Sequence, residues 1–184
     1  LHNLHGYYIN IELLFAYLRE SGKPVVWTLH DCWAFTGHCC YYSMAGCDKW
    51  KHGCSQCAQR NSYPKSLIMD NSRNNYLRKK ELFTSIPNLR LVCVSNWLAG
   101  EVKQSFLQSV PCEVIHNGID TQVFKYTPGL DKEKYGITGN KMVLAVSTSW
   151  SDKRKGLSDV LRLAELSAGA YQVVIVGLTE KEKE

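Results

Sequence analysis

His30 and Asp31 are the two residues whose types and position most clearly predict chemistry. They end the apolar, β-branched run at residues 25–29, which has the length and composition of a buried strand. Open α/β sheets bind ligands beyond the carboxyl ends of their strands. An imidazole at that position can hydrogen-bond a substrate hydroxyl, whereas a histidine that only satisfies a strand-end backbone group is the competing interpretation. The sequence therefore predicts a site directly after residue 29.

A cysteine-rich loop follows this strand, and its spacing is typical of a metal site. The pattern is Cys39-x7-Cys47-x6-Cys54-x2-Cys57, with His38 and Cys40 as alternative ligands. Thiolates at such spacing, ending in a C-x-x-C knuckle, suit a tetrahedral zinc ion. Disulfides and free buried thiols are the other interpretations. We expect a structural zinc ion. Residues 32–65 have almost no periodicity, and a loop of that length inside a compact domain is uncommon unless it is functional or is held by a covalent or metal cross-link.

The densest basic run is Lys153-Arg154-Lys155, which lies between a predicted strand and a predicted helix. Cations near the free N–H groups of a helix start are well placed to bind a diphosphate, although a solvated basic loop is the alternative. Overall, 22 basic and 17 acidic side chains give a formal net charge of +5. This mild excess suits an anionic small ligand or an acidic membrane surface, and it lacks the dense basic patches of nucleic-acid-binding proteins.

Strands and helices alternate along the chain on both sides of a linker. Helices are predicted at 11–21, 70–85, 95–107 and 157–168, and strands at 25–29, 90–94, 112–116, 142–147 and 171–176. Ser95 caps the third helix, and Asn117-Gly118 marks a sharp turn after the third strand. Residues 119–140 form the linker. This alternation predicts an α/β fold with parallel sheets and crossover helices, incomplete on both sides.

Composition places the chain among folded proteins. Its 184 residues are 45% hydrophobic and 21% charged, and no apolar run approaches the roughly 18 residues that a membrane-spanning helix needs. The first residues contain no initiator Met and no signal-peptide pattern. We therefore expect a piece of a longer protein.

Four segments resemble the family 4 glycosyltransferases of bacterial polysaccharide synthesis, notably the colanic-acid and capsule branch. They are Trp27-Thr28-Leu29-His30-Asp31-Cys32-Trp33-Ala34-Phe35-Thr36-Gly37-His38-Cys39, Val94-Ser95-Asn96-Trp97-Leu98-Ala99, Val114-Ile115-His116-Asn117-Gly118-Ile119-Asp120 and Arg154-Lys155-Gly156-Leu157. Their order and spacing also fit. The resemblance implies the GT-B fold, in which two Rossmann-like domains face each other across a cleft. It makes residues 1–125 the C-terminal part of the acceptor-side domain, with a Cys-rich insertion at 32–65, and residues 126–184 the linker and opening of the donor-side domain.

The same resemblance implies a retaining transferase that moves a sugar from a nucleotide-sugar donor to a lipid-linked or polysaccharide acceptor. It makes His30 and Asp31 the catalytic residues, with His30 at the donor sugar. It assigns Lys155, Arg154 and Lys153 to the donor diphosphate, and Asn117, Gly118 and Ser95 to the cleft and hinge. The family needs no metal for catalysis, so a zinc ion would be structural. We expect a cytoplasmic protein with peripheral contact to the anionic inner membrane, no nucleic-acid partner, and no activity in the fragment alone.

Two other classes of protein compete with this interpretation. The first is a non-catalytic, zinc-clamped α/β module that binds a saccharide or a protein. The second is a nucleotide-dependent enzyme such as a sugar epimerase, which is disfavoured because no G-x-G-x-x-G follows any predicted strand.

Overall fold

The computed structural model describes residues 1–66, 68–128, 132–138, 141–167 and 169–182. The chain divides into two compact units, Leu1–Ile119 and Asp120–Glu184. Each unit contains parallel strands and helices, which confirms the predicted α/β class. The assignment of residues 1–125 and 126–184 to the two domains of a GT-B protein stays a prediction.

The first unit contains a three-stranded parallel sheet in the order β1-β2-β3. Its strands are β1 (Val25–Leu29), β2 (Leu89–Cys93) and β3 (Cys112–Val114). Helix α1 (Ile11–Ser21) precedes β1, α2 (Ser72–Thr84) connects β1 to β2, and α3 (Asn96–Val102) connects β2 to β3. Parallel strands end at the same edge of a sheet, so residues that follow β1, β2 and β3 lie along one edge.

Helix α1 shows how local sequence sets the element boundaries. The Asn10 side chain accepts hydrogen bonds from the backbone N–H groups of Glu12 and Leu13, as a helix N-cap does. Gly22 follows the last turn with φ +61°, a conformation that glycine adopts without steric cost. The predicted start and stop of this helix are both confirmed.

Two predictions about the helices and strands of the first unit are wrong. Helix α3 ends at Val102 rather than near residue 107, because the Ser105 hydroxyl donates to the Val102 carbonyl and accepts from the Leu107 N–H. The apolar run at 25–29 was expected to form a fully buried strand, and residues 90–94 a second buried strand. Instead, burial alternates along them and Val26 is 54% exposed, since described helices cover only one face.

Aromatic side chains dominate the core of the first unit. The Phe83 ring centroid lies 4.5 Å from that of Phe15 and 4.8 Å from that of Trp27, which ties α2 to α1 and to the buried face of β1. All three side chains are almost fully buried. This cluster fixes the strand whose carboxyl end leads to His30 and Asp31.

The second unit is smaller and has a more exposed sheet. Strands β4 (Met142–Val146) and β5 (Gln172–Val176) pair in parallel, and α4 (Leu157–Ser167) connects them. Before β4, the described part of the predicted linker contains one short 3-10 turn, Glu133–Tyr135. Among all the described residues, no helix combines the length and apolar character needed to cross a membrane.

Candidate functional site

The first residues of the chain run beside β1 and bring two histidines to its carboxyl end. The Leu1 carbonyl accepts a hydrogen bond from the Thr28 N–H at 3.0 Å. The Trp27 indole N–H donates to the His2 carbonyl at 2.8 Å. Buried Trp27 therefore anchors this segment, which places His2 next to His30 and His5 next to Asp31.

His30 lies at the surface and contacts His2. The two rings stack with their centroids 5.3 Å apart, and His2 Nδ1 lies 3.0 Å from His30 Nε2. One of these nitrogens must carry the proton that the other accepts, so the pair constrains the tautomer of His30. Because His30 is exposed, its imidazole can reach a bound ligand from this end of β1.

Asp31 has both carboxylate oxygens engaged within the protein. Its Oδ2 lies 2.9 Å from His5 Nε2, and its Oδ1 accepts the Trp33 backbone N–H at 2.9 Å. The His5 and Asp31 side chains are each only 10% exposed. Asp31 therefore orients His5 and the start of the cysteine-rich loop. Because both of its oxygens are already bound, it has fewer hydrogen-bond acceptors available to a ligand.

A cavity of about 280 Å³ opens beside His5 and Trp33. Its polar lining consists of His5, His38, Lys65, Ser66, Asn75, Arg78 and Lys79, and its apolar lining includes Leu4, Tyr7, Ile9, Ile11, Trp33 and Pro64. An aromatic face next to hydrogen-bond donors and cations suits a saccharide or a phosphorylated ligand. The cavity belongs wholly to the first unit.

Lys79 is a buried cation in the wall of this cavity. Its Nζ donates to the Trp33 carbonyl at 2.8 Å and to the Thr36 carbonyl at 3.1 Å, and it lies 3.3 Å from the centroid of the Trp33 ring. Burial lowers the pKa of the Lys79 ammonium to about 7. These contacts join α2 to the beginning of the cysteine-rich loop.

The structure brings the four predicted zinc ligands to one place. Cys39, Cys47, Cys54 and Cys57 line the same small cavity, of about 20 Å³. A hydrogen bond from the Cys39 side chain lowers the pKa of the Cys57 thiol to about 6, and the same contact raises the pKa of the Cys39 thiol. None of the eight cysteines forms a disulfide.

A second group of metal-binding residue types lies at the end of β1. One ligand atom each of His5, Asp31 and Cys40 lies within 4.8 Å of the other two. Among the described residues this is the one trio of metal-binding side chains that converges so closely. The His5–Asp31 contact is a hydrogen bond in its own right, which already explains most of this convergence.

Ser95, Asn117 and Gly118 follow the ends of β2 and β3, as predicted. The Ser95 hydroxyl accepts the Leu98 N–H at 3.2 Å and so caps α3. Asn117 and Gly118 are exposed, and a side chain at position 118 would meet nothing within 4 Å. Capping is the contact that the structure gives Ser95. Asn117 and Gly118 lie in irregular backbone with no turn, and Gly118 does not adopt a positive φ, so the sharp turn predicted there is wrong.

The basic run belongs to the second unit, where residues Lys153–Lys155 form a 3-10 turn before α4. Asp152 binds Arg154, with Nε 2.9 Å from Oδ1, and this contact lowers the pKa of the Asp152 carboxyl to about 2. Lys153 and Lys155 are exposed. Two ammonium groups therefore face solvent in this loop, while the Arg154 guanidinium is held by a carboxylate.

Sequence reasoning missed His2, His5 and Lys79. The two histidines form an H-x-x-H pair close to the His-Asp motif, although only the fold shows that this segment lies beside β1. Lys79 had a clearer signal. Its spacing from Tyr76 and Phe83 puts it on the apolar stripe of α2, where a lysine must find buried acceptors.

Comparisons with known proteins agree with the motifs. The sequence model of the family described as Glycosyltransferase Family 4 matches residues 2–123. The chain is 33% identical over 125 residues to WcaC of Escherichia coli (strain K12), a protein named as a glycosyl transferase of colanic acid biosynthesis. This segment covers 65% of the present chain and 30% of WcaC. No solved structure matches the chain.

Proposed function

Because this chain belongs to glycosyltransferase family 4, we propose that it is part of a retaining glycosyltransferase of cell-surface polysaccharide biosynthesis. The enzyme moves a hexosyl group from a nucleotide-sugar donor to a lipid-linked or polysaccharide acceptor. The match spans 30% of the relative, so the activity is proposed for a polypeptide that contains this segment. The proposed reaction takes place at the cytoplasmic face of a membrane, because sugar nucleotides are made in the cytoplasm. The net charge of +5 favours contact with the anionic lipids of that face.

The observation that carries the proposal is the polar group at the carboxyl end of β1. His30 is exposed beyond the strand, while His2 and the Asp31–His5 pair fix its surroundings. In the proposed reaction, His30 contacts the donor sugar and stabilises the charge that develops as the glycosidic bond to the nucleotide breaks. Asp31 acts as a positioning residue, because both of its oxygens are bound within the protein.

The neighbouring cavity supports binding of a saccharide acceptor with an anionic group. Trp33 contributes an aromatic ring to its lining, and Lys65 and Arg78 supply positive charge. Arg78 also forms an ion pair with Glu12, in which the Arg78 Nε lies 2.7 Å from the Glu12 Oε1. A phosphate on the acceptor would compete for that guanidinium, since Arg binds phosphate oxygens with two N–H groups.

Donor diphosphate binding is assigned to Lys153, Arg154 and Lys155 in the second unit. Lys153 and Lys155 have the freedom to move toward an anion, whereas Arg154 must first leave Asp152. Cations suffice here because the departing diphosphate needs charge stabilisation rather than a specific metal. We assign Asn117, Gly118 and Ser95 to the boundary of the donor cleft as supporting residues.

Transfer assays with the longer polypeptide test the proposal. Labelled nucleotide sugars are offered with lipid-linked acceptors, and the anomeric configuration of the product is read by NMR. We expect His30→Ala to lower kcat about 100-fold or more, which is the scale of a lost catalytic side chain. His52→Ala, at an exposed histidine outside the site, is the matched control.

Lys155→Ala should instead raise the KM for the donor about tenfold, since it removes one phosphate contact. Lys125→Ala, another exposed lysine of the second unit, should leave KM unchanged. Saccharide binding without turnover of any nucleotide sugar would contradict the transferase and favour the binding module.

A further inference from the structure

The cysteine-rich loop lacks the internal structure that normally keeps such a segment in place. Residues 32–65 contain three short 3-10 turns and no strand or α-helix. Hydrogen bonds fix its beginning, where the Cys32 N–H binds the Cys40 carbonyl and the Thr36 hydroxyl binds the Cys39 carbonyl. Further along, residues 43–46 and 51–53 are exposed. A loop of this length inside a compact unit calls for another constraint.

Four thiols from different parts of this loop line one cavity. Cys39 comes from the fixed beginning, Cys47 follows the second 3-10 turn, and Cys54 and Cys57 come from the irregular stretch after the third. The cavity measures about 20 Å³, which is room for a single water-sized species. Four thiols that come from separate parts of a loop to line one cavity are the kind of ligand set that a soft metal ion uses.

Backbone N–H groups also point at two of these sulfur atoms. The Gly37 N–H binds the Cys54 sulfur, and the Gln59 N–H binds the Cys57 sulfur. These contacts help to fix the positions of the two sulfur atoms. Gly37 is also required sterically, since a Cβ there would lie 2.1 Å from the Ser72 carbonyl oxygen and 2.6 Å from Cys54 Cβ.

We propose that Cys39, Cys47, Cys54 and Cys57 bind one structural Zn²⁺ ion that holds residues 32–65 in place. Four thiolates complete a tetrahedral Zn²⁺ site at Zn–S distances of about 2.3 Å, so the sulfur atoms would lie about 3.8 Å apart. The trio of His5, Asp31 and Cys40 converges more tightly in this structure, so the thiols must draw together on binding. Four soft ligands nevertheless suit zinc better than one thiol beside a hydrogen-bonded His–Asp pair.

The ion would also fix one wall of the candidate saccharide cavity. His38 lines both the thiol cavity and the 280 Å³ cavity, and it is 9% exposed. Its Nε2 is buried without a hydrogen-bond partner, so no hydrogen bond at that nitrogen fixes the orientation of the ring. Zinc in the adjacent cavity would set the position of His38 without contacting the ligand.

Zinc content of the purified 184-residue chain is the first test, measured by plasma mass spectrometry after preparation without metal-affinity resin. We expect about one Zn²⁺ per chain, and an about fivefold or larger loss in Cys54→Ser and in Cys57→Ser. Cys112→Ser, which changes a thiol in β3, should keep the metal. His5→Ala and Cys40→Ser should also keep it, and loss of zinc in those two variants would move the site to the end of β1 and overturn the proposal.

X-ray absorption on the wild-type chain decides the question even if the serine variants fail to fold. The proposal predicts four sulfur neighbours at about 2.3 Å. Cobalt substitution should give the sulfur-to-metal charge-transfer bands of a tetrahedral thiolate site. A shell containing nitrogen or oxygen, less than half an equivalent of zinc, or disulfides among these four cysteines would each overturn it.

Chelation tests the role assigned to the ion. Removing zinc should speed trypsin cleavage after Lys49, Lys51 and Arg60 about tenfold or more, because the loop then opens locally. Cleavage after Lys103, beyond the end of α3, should not change. Equal rates with and without metal would show that the ion does not hold the loop. The transferase assays are independent of these results.

Discussion

The two units of this chain use the same kinds of element but bury their side chains very differently. In the first unit, α1, α2, α3 and the cysteine-rich loop surround one face of a three-stranded sheet, and the aromatic cluster around Phe83 is fully enclosed. In the second unit, Trp150 is the one buried apolar side chain among the described residues. Leu144 and Val146 of β4 remain 53% and 66% exposed.

This difference follows from how many elements cover each sheet. One helix covers at most one face of two strands, so the opposite face of β4 stays open to solvent. The residues proposed to contact the sugar therefore stand on a unit with its own core. The residues proposed to hold the diphosphate stand on a unit whose apolar surface is still uncovered.

Replacing a core aromatic residue should break the first unit most severely. Phe83→Ala removes a ring that is fully buried against Phe15 and Trp27, and the free energy of unfolding should fall by about 3–5 kcal/mol. Leu163→Ala in α4 is the counterpart, because that side chain is 42% exposed, and it should cost less than about 1 kcal/mol. Urea unfolding measures both, and equal losses would contradict the contrast between the units.

Gly37→Ala should be the next most damaging change. Its new methyl group would overlap the Ser72 carbonyl oxygen and Cys54 Cβ, and overpacking of this kind costs about 1–3 kcal/mol. Gly100→Ala in α3 is the control, since a side chain there meets nothing within 4 Å and alanine favours a helix. Thermal unfolding of both variants checks the prediction, and an unchanged Tm for Gly37→Ala would show that the loop can shift.

Lys79 should give the first unit a distinctive pH dependence. Its pKa is lowered to about 7 in the folded chain, so the unfolded chain binds one proton more between about pH 7 and 10.5. The free energy of unfolding should therefore rise by about 1.4 kcal/mol per pH unit in that window. Lys79→Met removes this rise, whereas Lys80→Met at the exposed neighbouring position keeps it. Other groups titrate in all three proteins. The quantity to measure is therefore the difference in the free energy of unfolding between each variant and the wild type, at pH 7.5 and at pH 9.

Asp152 should give the smallest effect, in the second unit. Its pKa lies below the ordinary value, so its ion pair with Arg154 stabilises the turn above about pH 4 and is lost as the pH falls toward 2. Because both side chains are partly exposed, Asp152→Ala should cost less than about 1 kcal/mol. Faster amide hydrogen exchange at Arg154 near pH 6 would reveal it, and Glu165→Ala should leave that amide unchanged.

The sequence was most informative where periodicity and caps act locally. The limits of α1 were predicted because a clear apolar stripe begins at Ile11 and Gly22 follows its last turn. The family was identified because four motifs occur in the right order. Two features depend instead on tertiary contacts. The position of His2 and His5 depends on Trp27, distant in sequence, and the exposure of Val26 depends on which elements cover the sheet. Neither can be deduced from local spacing.

A crystal structure of the longer polypeptide with a non-transferable nucleotide-sugar analogue tests the central claim most directly. The proposed function predicts an imidazole nitrogen of His30 within hydrogen-bond distance of the sugar, at about 2.6–3.2 Å, with the Asp31–His5 contact intact. A sugar bound elsewhere, with His30 still facing solvent, would contradict the assignment of this site.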